Sequence, residues 1–443
     1  MDVVRLFDFE DADFTHYFYF QGEKYINCIQ YMDEIYDFCE SYPTQDDVQF
    51  KRYARRSAKL AFYELLNKAT GITFPYGALT GIRPTKLAYM EEGEGRDFKE
   101  LFARMHVAAD NIDFVGRVMR EQRPYYAAGG GQELFISLPF CPTKCRYCSF
   151  ITAPISSTGQ YVDDYISCLE RELASLAPML GRVNSVYIGG GTPFAISAAQ
   201  LKRVYAAVAA LRLPDCEYTV EAGRPDVFTR EKLQLSRDFG VNRICVNPQT
   251  FSDVTLQKIG RKHTTAQTYE AYQAAKKYGF DINIDLIAGL EGEEVADFGH
   301  SLECAAALSP ANITVHTLSL KAGAKLKEET RRLHIDGIGE MISLSRRVLT
   351  SAGYSPYYMY RQKYQAGGHE NCGWALPGKA CAYNIGVMEE ISDNIAVGAN
   401  AISKRVFAGQ NRIERCASPK DIPTYISKCD KIISERSKLF GTE

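Results

Sequence analysis

No stretch of this sequence approaches the roughly 20 consecutive apolar residues that cross a bilayer. Its opening, MDVVRLFDFEDADF, is acidic and lacks the basic-then-apolar order of a secretory leader. A cytoplasmic protein with no membrane span is therefore expected. Charge of one sign is also lacking: 52 Lys and Arg stand against 54 Asp and Glu, a formal net charge of −2. That balance gives no broad basic field, so no nucleic-acid partner is expected and any anionic ligand has to meet local cations. There is no internal repeat at solenoid spacing and no long low-complexity segment. What is present is an ordinary globular composition, 46% hydrophobic and 24% charged over 443 residues, enough for a large core and more than one domain. The 13 cysteines, an odd number, scatter from Cys28 to Cys429. In a reducing compartment most read as small buried hydrophobes rather than disulfide partners. One cluster breaks the scatter.

Residues 1–127 read as an α+β domain. HYFYFQGEKYIN alternates like a hairpin around a glycine, and FKRYARRSAKLAFYELLNKATG reads as an amphipathic helix ended by Gly71. In the turn-rich PYGALTGIRPTKL, Pro84 is expected to break regular structure. The joint YYAAGGGQE then leads into residues 128–325, where short β-like runs alternate with helical stretches. The runs are LFISLPF, SVYIGGG, EYTVEAG, RICVNPQT, INIDLIAGL and NITVHTLSL. Six such βα units predict a parallel sheet, and no GxGxxG opens the first one, so a partial (β/α)6 barrel is favoured over an open doubly wound sheet. Polar residues and glycines gather at the C-terminal ends of these runs, the edge where such barrels bind ligands. Residues 326–443 lose the rhythm and read as a C-terminal α/β extension on the substrate side.

The cluster lies in SLPFCPTKCRYCSF, where Cys141, Cys145 and Cys148 follow the first barrel strand. Soft thiolates suit zinc, copper or iron–sulfur clusters. The C-x3-C-x2-C spacing differs from two distant C-x2-C zinc knuckles, although a structural zinc protein stays an alternative. A [4Fe–4S] cube normally takes one cysteine per iron, so three cysteines leave one iron open for a reactant.

C-x3-C-x2-C after the first strand of a β/α barrel resembles the radical S-adenosylmethionine superfamily. YIGGGTPF, TVEAGRP, NPQTF, IGRKHT and IDLIAGL follow in order, with GALTGIRPTKL upstream and YYMYRQK downstream. Together they resemble the oxygen-independent coproporphyrinogen III oxidases, specifically the HemZ branch, over nearly the whole chain. The resemblance implies a [4Fe–4S] cluster held by Cys141, Cys145 and Cys148, with one S-adenosylmethionine, or two. The cluster would pass an electron to the sulfonium, and the resulting radical would take hydrogen from the substrate. It also implies an electron donor and an electron acceptor, neither of which the sequence identifies.

Carried over position by position, the resemblance implies cofactor contacts at Gly190, Gly191, Thr192 and Glu221. It implies contacts with a second S-adenosylmethionine at Gln249, Arg261 and Asp285, with His316 near another such position. Ile402, after Ala401, would pack on adenine, while Phe135 and Tyr147 would flank the cluster. Each has a plainer reading. Gly189–Gly191 also suit a tight turn, Glu221 a salt bridge with Arg224, Gln249 and His316 structural polar sites, and Phe135, Tyr147 and Ile402 simple packing.

The implied substrate is coproporphyrinogen III, a tetrapyrrole with four propionates. Two propionates would lose a β-hydrogen, CO2 and an electron to become vinyl groups. Arg361, Lys363, Lys321 and Lys404 are candidate cations for the propionates, with a solvated basic face as the alternative. Three positions depart from the family's best-defined oxidases. Phe135 replaces a tyrosine, Ser137 a histidine, and Phe150 a further cysteine. The C-x3-C-x2-C-x-F pattern also occurs in the related haem chaperones, which makes a haem-binding chaperone the competing reading.

Overall fold

Alternating side chains decide where each sheet of this protein buries itself. The computed structural model describes residues 2–9, 12–81, 83–149, 153–319, 323–329, 336–362, 365–407 and 412–441. Phe150, Lys321 and Lys363 lie outside the described residues. The chain divides into two units, Met1–Gly116 with Tyr360–His369, and Arg117–Met359 with Glu370–Glu443.

In the first unit, β1 (Phe14–Gln21), β2 (Lys24–Tyr31) and β3 (Glu34–Ser41) form an antiparallel sheet. Period-two alternation turns Tyr25, Asn27 and Ile29 of β2 inward. The helix Asp47–Thr70 covers that face, and Asn27 donates to Ser57 Oγ at 2.5 Å. Asp46 caps this helix at its start, and Gly71, with φ of 70°, ends it as the sequence predicts. Pro84 does not break regular structure. It opens the helix Pro84–Gly93, where its missing N–H costs nothing and its fixed φ suits the first turn.

The second unit carries the six expected strands. β4 (Gln132–Leu138) leads into a small excursion, β5 (Phe140–Cys141) paired with β6 (Ala153–Pro154). Then come β7 (Val183–Gly190), β8 (Glu217–Gly223), β9 (Arg243–Val246), β10 (Asp281–Ala288) and β11 (Asn312–Thr317). From β4 through β7 to β11 they pair in parallel and in chain order, which makes the partial (β/α)6 barrel. The C-terminal extension widens the same sheet at both edges. β12 (Ser355–Tyr360) and β13 (Asn371–Ala375) follow β11, and β13 runs antiparallel to it. On the other side β14 (Asp393–Val397) runs parallel to β4 and carries antiparallel β15 (Ile402–Phe407) and β16 (Arg412–Ala417). Among the described residues no helix is long and apolar enough to cross a membrane.

One face of these strands is aliphatic: Leu134, Ile136, Ile188, Val220, Ile244, Ile284 and Val315 are all buried. Each such side chain contributes on the order of 1.5–3 kcal/mol when taken from water. The opposite face, lining the barrel interior, is polar. Glu217 lies 3.4 Å from Arg243, which also bonds Asn312 and lies 3.9 Å from Asp281. Glu217 further accepts from the Ala382 and Tyr383 N–H groups at 3.0 and 3.2 Å, tying the helix Ala382–Glu389 to this layer. Tyr383 stacks on Tyr187 with ring centroids 4.4 Å apart, and Tyr187 stacks on Phe135 at 6.2 Å. Three aromatic rings thus close the interior between the ion-pair layer and the strand ends.

Candidate functional site

The cysteine loop leaves β4 at the C-terminal edge of the barrel. Cys141 and Cys145 are buried and Cys148 is half-buried. The loop's backbone is strapped to a neighbouring segment. Arg146 N–H donates to Ile259 O at 3.0 Å, Thr143 Oγ1 donates to Gly260 O at 3.4 Å, and Leu326 N–H donates to Arg146 O at 3.0 Å. Tyr147 packs against an apolar group that includes Leu256, Ile259, Leu290 and Leu318. Burial pushes the Cys141 thiol up to about 12, against the lowering pull of the Thr192 hydroxyl, 3.3 Å away.

The glycine run at the end of β7 is fixed by this loop. A Cβ on Gly191 would stand 2.7 Å from the Leu138 and Phe140 carbonyl oxygens, so the two backbones cross with no room for a side chain. Thr192 N–H donates to Phe140 O at 2.8 Å across the same crossing. Gly190 has φ of 96°, a conformation that favours glycine. The chain's own backbone therefore accounts for two glycines that the sequence reading allots to a turn or to a ligand.

Two carboxylates face the mouth beside this crossing. Burial, then the nearby charge of Asp285, raises Glu221 to about 8, while the Gly190 N–H, the Tyr187 phenol and Arg261 pull it down. Burial raises Asp285 as well, but His316, Asn283 and Thr314 outweigh it and leave Asp285 below its ordinary value. His316 Nε2 lies 3.8 Å from Asp285 Oδ2, and Asn283 donates to Oδ1 at 2.8 Å. Arg261 is buried and donates to Asn247 O at 2.5 Å. Burial alone would lower it, but Tyr147 and Cys145 beside it raise it and keep it charged.

Gln249 is held in the left-handed region, φ 74°, with Asp285 O accepting its N–H. Cys141, Cys145, Thr192, Glu221, Arg261, Asp285 and His316 are thus linked by contact or charge around one mouth. Ile402 begins β15 and stands exposed. The salt bridge weighed for Glu221 with Arg224 is not formed: Arg224 pairs with Asp226 at 2.7 Å and bonds Thr143. Two candidate cations are spent elsewhere. Arg361 lies over the Tyr76 ring at 4.4 Å and donates to Leu79 O and Gly368 O, while Lys404 pairs with Glu390 at 3.2 Å.

Comparison with known proteins shows the family. Residues 135–305 match the Radical SAM superfamily. The oxygen-independent coproporphyrinogen-III oxidase-like protein HemZ of Bacillus subtilis (strain 168) is 34% identical over 416 residues, 89% of this chain and 83% of its own. The chain belongs to the HemZ branch of the radical SAM superfamily. The haem chaperone HemW of the same organism is 35% identical over 190 residues, 42% of this chain and 49% of its own. HemW of Lactococcus lactis subsp. lactis (strain IL1403) is 32% identical over 276 residues, 60% of this chain and 68% of its own. The solved structure of coproporphyrinogen III oxidase HemN from Escherichia coli shares the fold, with a TM-score of 0.56 at 21% identity over 71% of this chain and 72% of that one.

Membership of the superfamily implies a [4Fe–4S] cluster and S-adenosylmethionine. The donor set fits. Three soft thiols share one loop, and a cube's cysteines reach separate irons at separate corners. Among the described residues no group of three His, Cys, Asp or Glu side chains is placed to hold a single metal ion.

The sequence reading passed over Tyr187, Tyr383, Cys245 and His263. Tyr187 has the inward parity of Phe135 and Glu221 on their strands, a signal that was available. Tyr383 comes from a segment far along the chain and gave none. His263 is buried with both ring nitrogens unpartnered among the described residues, and burial with Arg261 beside it pushes it down to about 3, so it is neutral.

Proposed function

We propose that this protein is an oxygen-independent coproporphyrinogen III dehydrogenase, converting two propionates of the substrate to vinyl groups and giving protoporphyrinogen IX. The observation that carries the reading is the likeness to HemZ over 89% of the chain, including the first unit, against 42% to 69% for the haem chaperones. In this reading Cys141, Cys145 and Cys148 hold the cluster. Gly190, Gly191, Thr192, Glu221, Phe135 and Ile402 face S-adenosylmethionine, and Tyr147 braces the loop. Gln249, Arg261, Asp285 and His316 face a second amino-acid group or the substrate. When bound, the cluster and S-adenosylmethionine supply a carbon radical able to take hydrogen from a propionate side chain.

The chain's own residues prepare that chemistry. Glu221, protonated near neutrality when alone, is drawn to its carboxylate by an arriving ammonium group, which it then orients. Arg261 offers a fixed guanidinium to a carboxylate. The stack of Phe135, Tyr187 and Tyr383 keeps water from entering through the barrel floor. An electron donor and acceptor complete the reaction from outside the chain.

The departures from the oxidase pattern at Phe135, Ser137 and Phe150 favour the chaperone as a second reading. Arg361 and Lys404 are engaged by protein groups, so neither offers a free grip on a propionate of either tetrapyrrole. Anaerobically reconstituted protein, reduced with dithionite, freed of the excess and given S-adenosylmethionine, coproporphyrinogen III and a one-electron acceptor, separates the two. Methionine, CO2 and a divinyl product are expected. Stoichiometric retention of haem with no product would overturn the dehydrogenase.

A further inference from the structure

The helix Cys429–Phe440 places an arginine where almost no water reaches. Arg436 is 1% exposed, and Glu172, on the helix Val162–Ala174, is fully buried. Arg436 Nη2 donates to Glu172 Oε1 at 2.5 Å. Arg436 Nε and Nη1 have no hydrogen-bond partner among the described residues, where Glu172 is the carboxylate that its charge meets. A buried pair of this kind is a poor source of stability, because desolvation offsets the attraction. Apolar residues of similar volume would serve the two helices at least as well.

The second oxygen of Glu172 gives the pair a use. Glu172 Oε2 accepts from Gly398 N–H at 2.9 Å and from the Tyr425 hydroxyl at 2.6 Å. Gly398 opens the turn 398–401 between β14 and β15. That turn is held next to the start of the cysteine loop. The Tyr165 hydroxyl donates to Ser137 O at 2.7 Å and accepts from Ala399 N–H at 2.9 Å, while Ser137 Oγ donates to Ala399 O at 2.8 Å. No slack remains at this meeting. A Cβ on Gly398 would fall 2.6 Å from Ser137 O, and one on Gly190 would fall 2.8 Å from Ser137 Oγ. A continuous run of contacts therefore leads from Arg436 through Glu172 and the turn to Ser137, four residues before Cys141, and on to the glycine run.

We propose that Glu172 and Arg436 are positioning residues for the S-adenosylmethionine site. Their ion pair holds Gly398 N–H, sets the turn 398–401 against Ser137 and Gly190, and thereby presents Ile402 to the mouth. The inference rests on the reading that this chain binds S-adenosylmethionine there. A purely structural brace between the two helices would leave that site untouched when the pair is replaced by apolar residues.

The double substitution Glu172→Met with Arg436→Met keeps the volume, removes both charges and frees Gly398 N–H. Three measurements compare it with the wild type: melting temperature, iron and sulfide per chain, and equilibrium dialysis of S-adenosylmethionine against reconstituted protein. Amide exchange at residues 398–401 is read separately in cofactor-free protein. Iron content is expected to stay unchanged, and melting to fall only by the cost of leaving the Gly398 N–H and Tyr425 hydroxyl without an acceptor. Exchange should be faster and S-adenosylmethionine binding weaker by about tenfold each, the effect of some 1.4 kcal/mol. If the double variant does not fold, Glu172→Gln, which turns an amide N–H toward Gly398 or Arg436, carries the same expectation. Unchanged exchange and affinity in the variant that folds overturn the proposal. Wild-type protein that holds a cluster yet takes up no S-adenosylmethionine overturns the reading of the site and this inference with it. Uptake equal in wild type and variant overturns the positioning role alone.

Discussion

The two halves of the barrel mouth each hold a half-buried carboxylate and treat it in opposite ways. On the β7–β8 side, burial dominates and Glu221 rises to about 8. On the β10–β11 side, His316, Asn283 and Thr314 surround Asp285 and keep it below its ordinary value. Burial alone therefore does not decide the charge of a site; the count and kind of nearby donors do. The mouth is left with one fixed anion and one carboxyl that takes its charge only when a cation arrives.

The largest expected effect removes the group that both halves face. Cys145→Ala should abolish bound iron and sulfide while circular dichroism of the cofactor-free protein stays unchanged. Full iron content in that variant would show that the loop is not the ligand set. The next test strips the β10–β11 side of its advantage. His316→Ala takes away the main influence lowering Asp285, so stability at pH 7 should fall by about 1–3 kcal/mol in urea unfolding. Because a depressed carboxylate stabilises above its unfolded pKa and loses that stabilisation as acid protonates it, the deficit should shrink below pH 4. A deficit independent of pH would mean that packing, not charge, is what His316 provides.

A third test sharpens the contrast on the β7–β8 side. A carboxyl raised to about 8 when folded keeps its proton where the unfolded chain has lost it, so it lowers stability as pH rises from about 5 to 8. The slope is at most about 1.4 kcal/mol per pH unit. Glu221→Gln should match the wild type near pH 5 and exceed it in melting temperature at pH 8. Parallel melting curves across that range would place Glu221 in an ordinary environment.

The six barrel strands were legible because their helix-facing sides are continuous aliphatic rows such as Leu134, Ile136, Ile284 and Val315. The mouth was legible too, since Glu221 and Asp285 are costly residues at strand ends. Its inner structure was less so. Gly191 reads as room for a ligand, yet the Leu138 and Phe140 carbonyls already demand it. Arg361 reads as a propionate anchor among aromatics, yet it satisfies two carbonyls and covers Tyr76. Pairings between segments hundreds of residues apart, such as Glu172 with Arg436 or Tyr187 with Tyr383, leave no local pattern in the chain.

The straps that join Thr143 and Arg146 to Ile259 and Gly260 use backbone and side-chain groups other than the thiols. The loop's attachment to the barrel therefore does not depend on its thiols. A lost cysteine costs the cluster and spares these straps, unlike a zinc finger whose whole fold hangs on its ion.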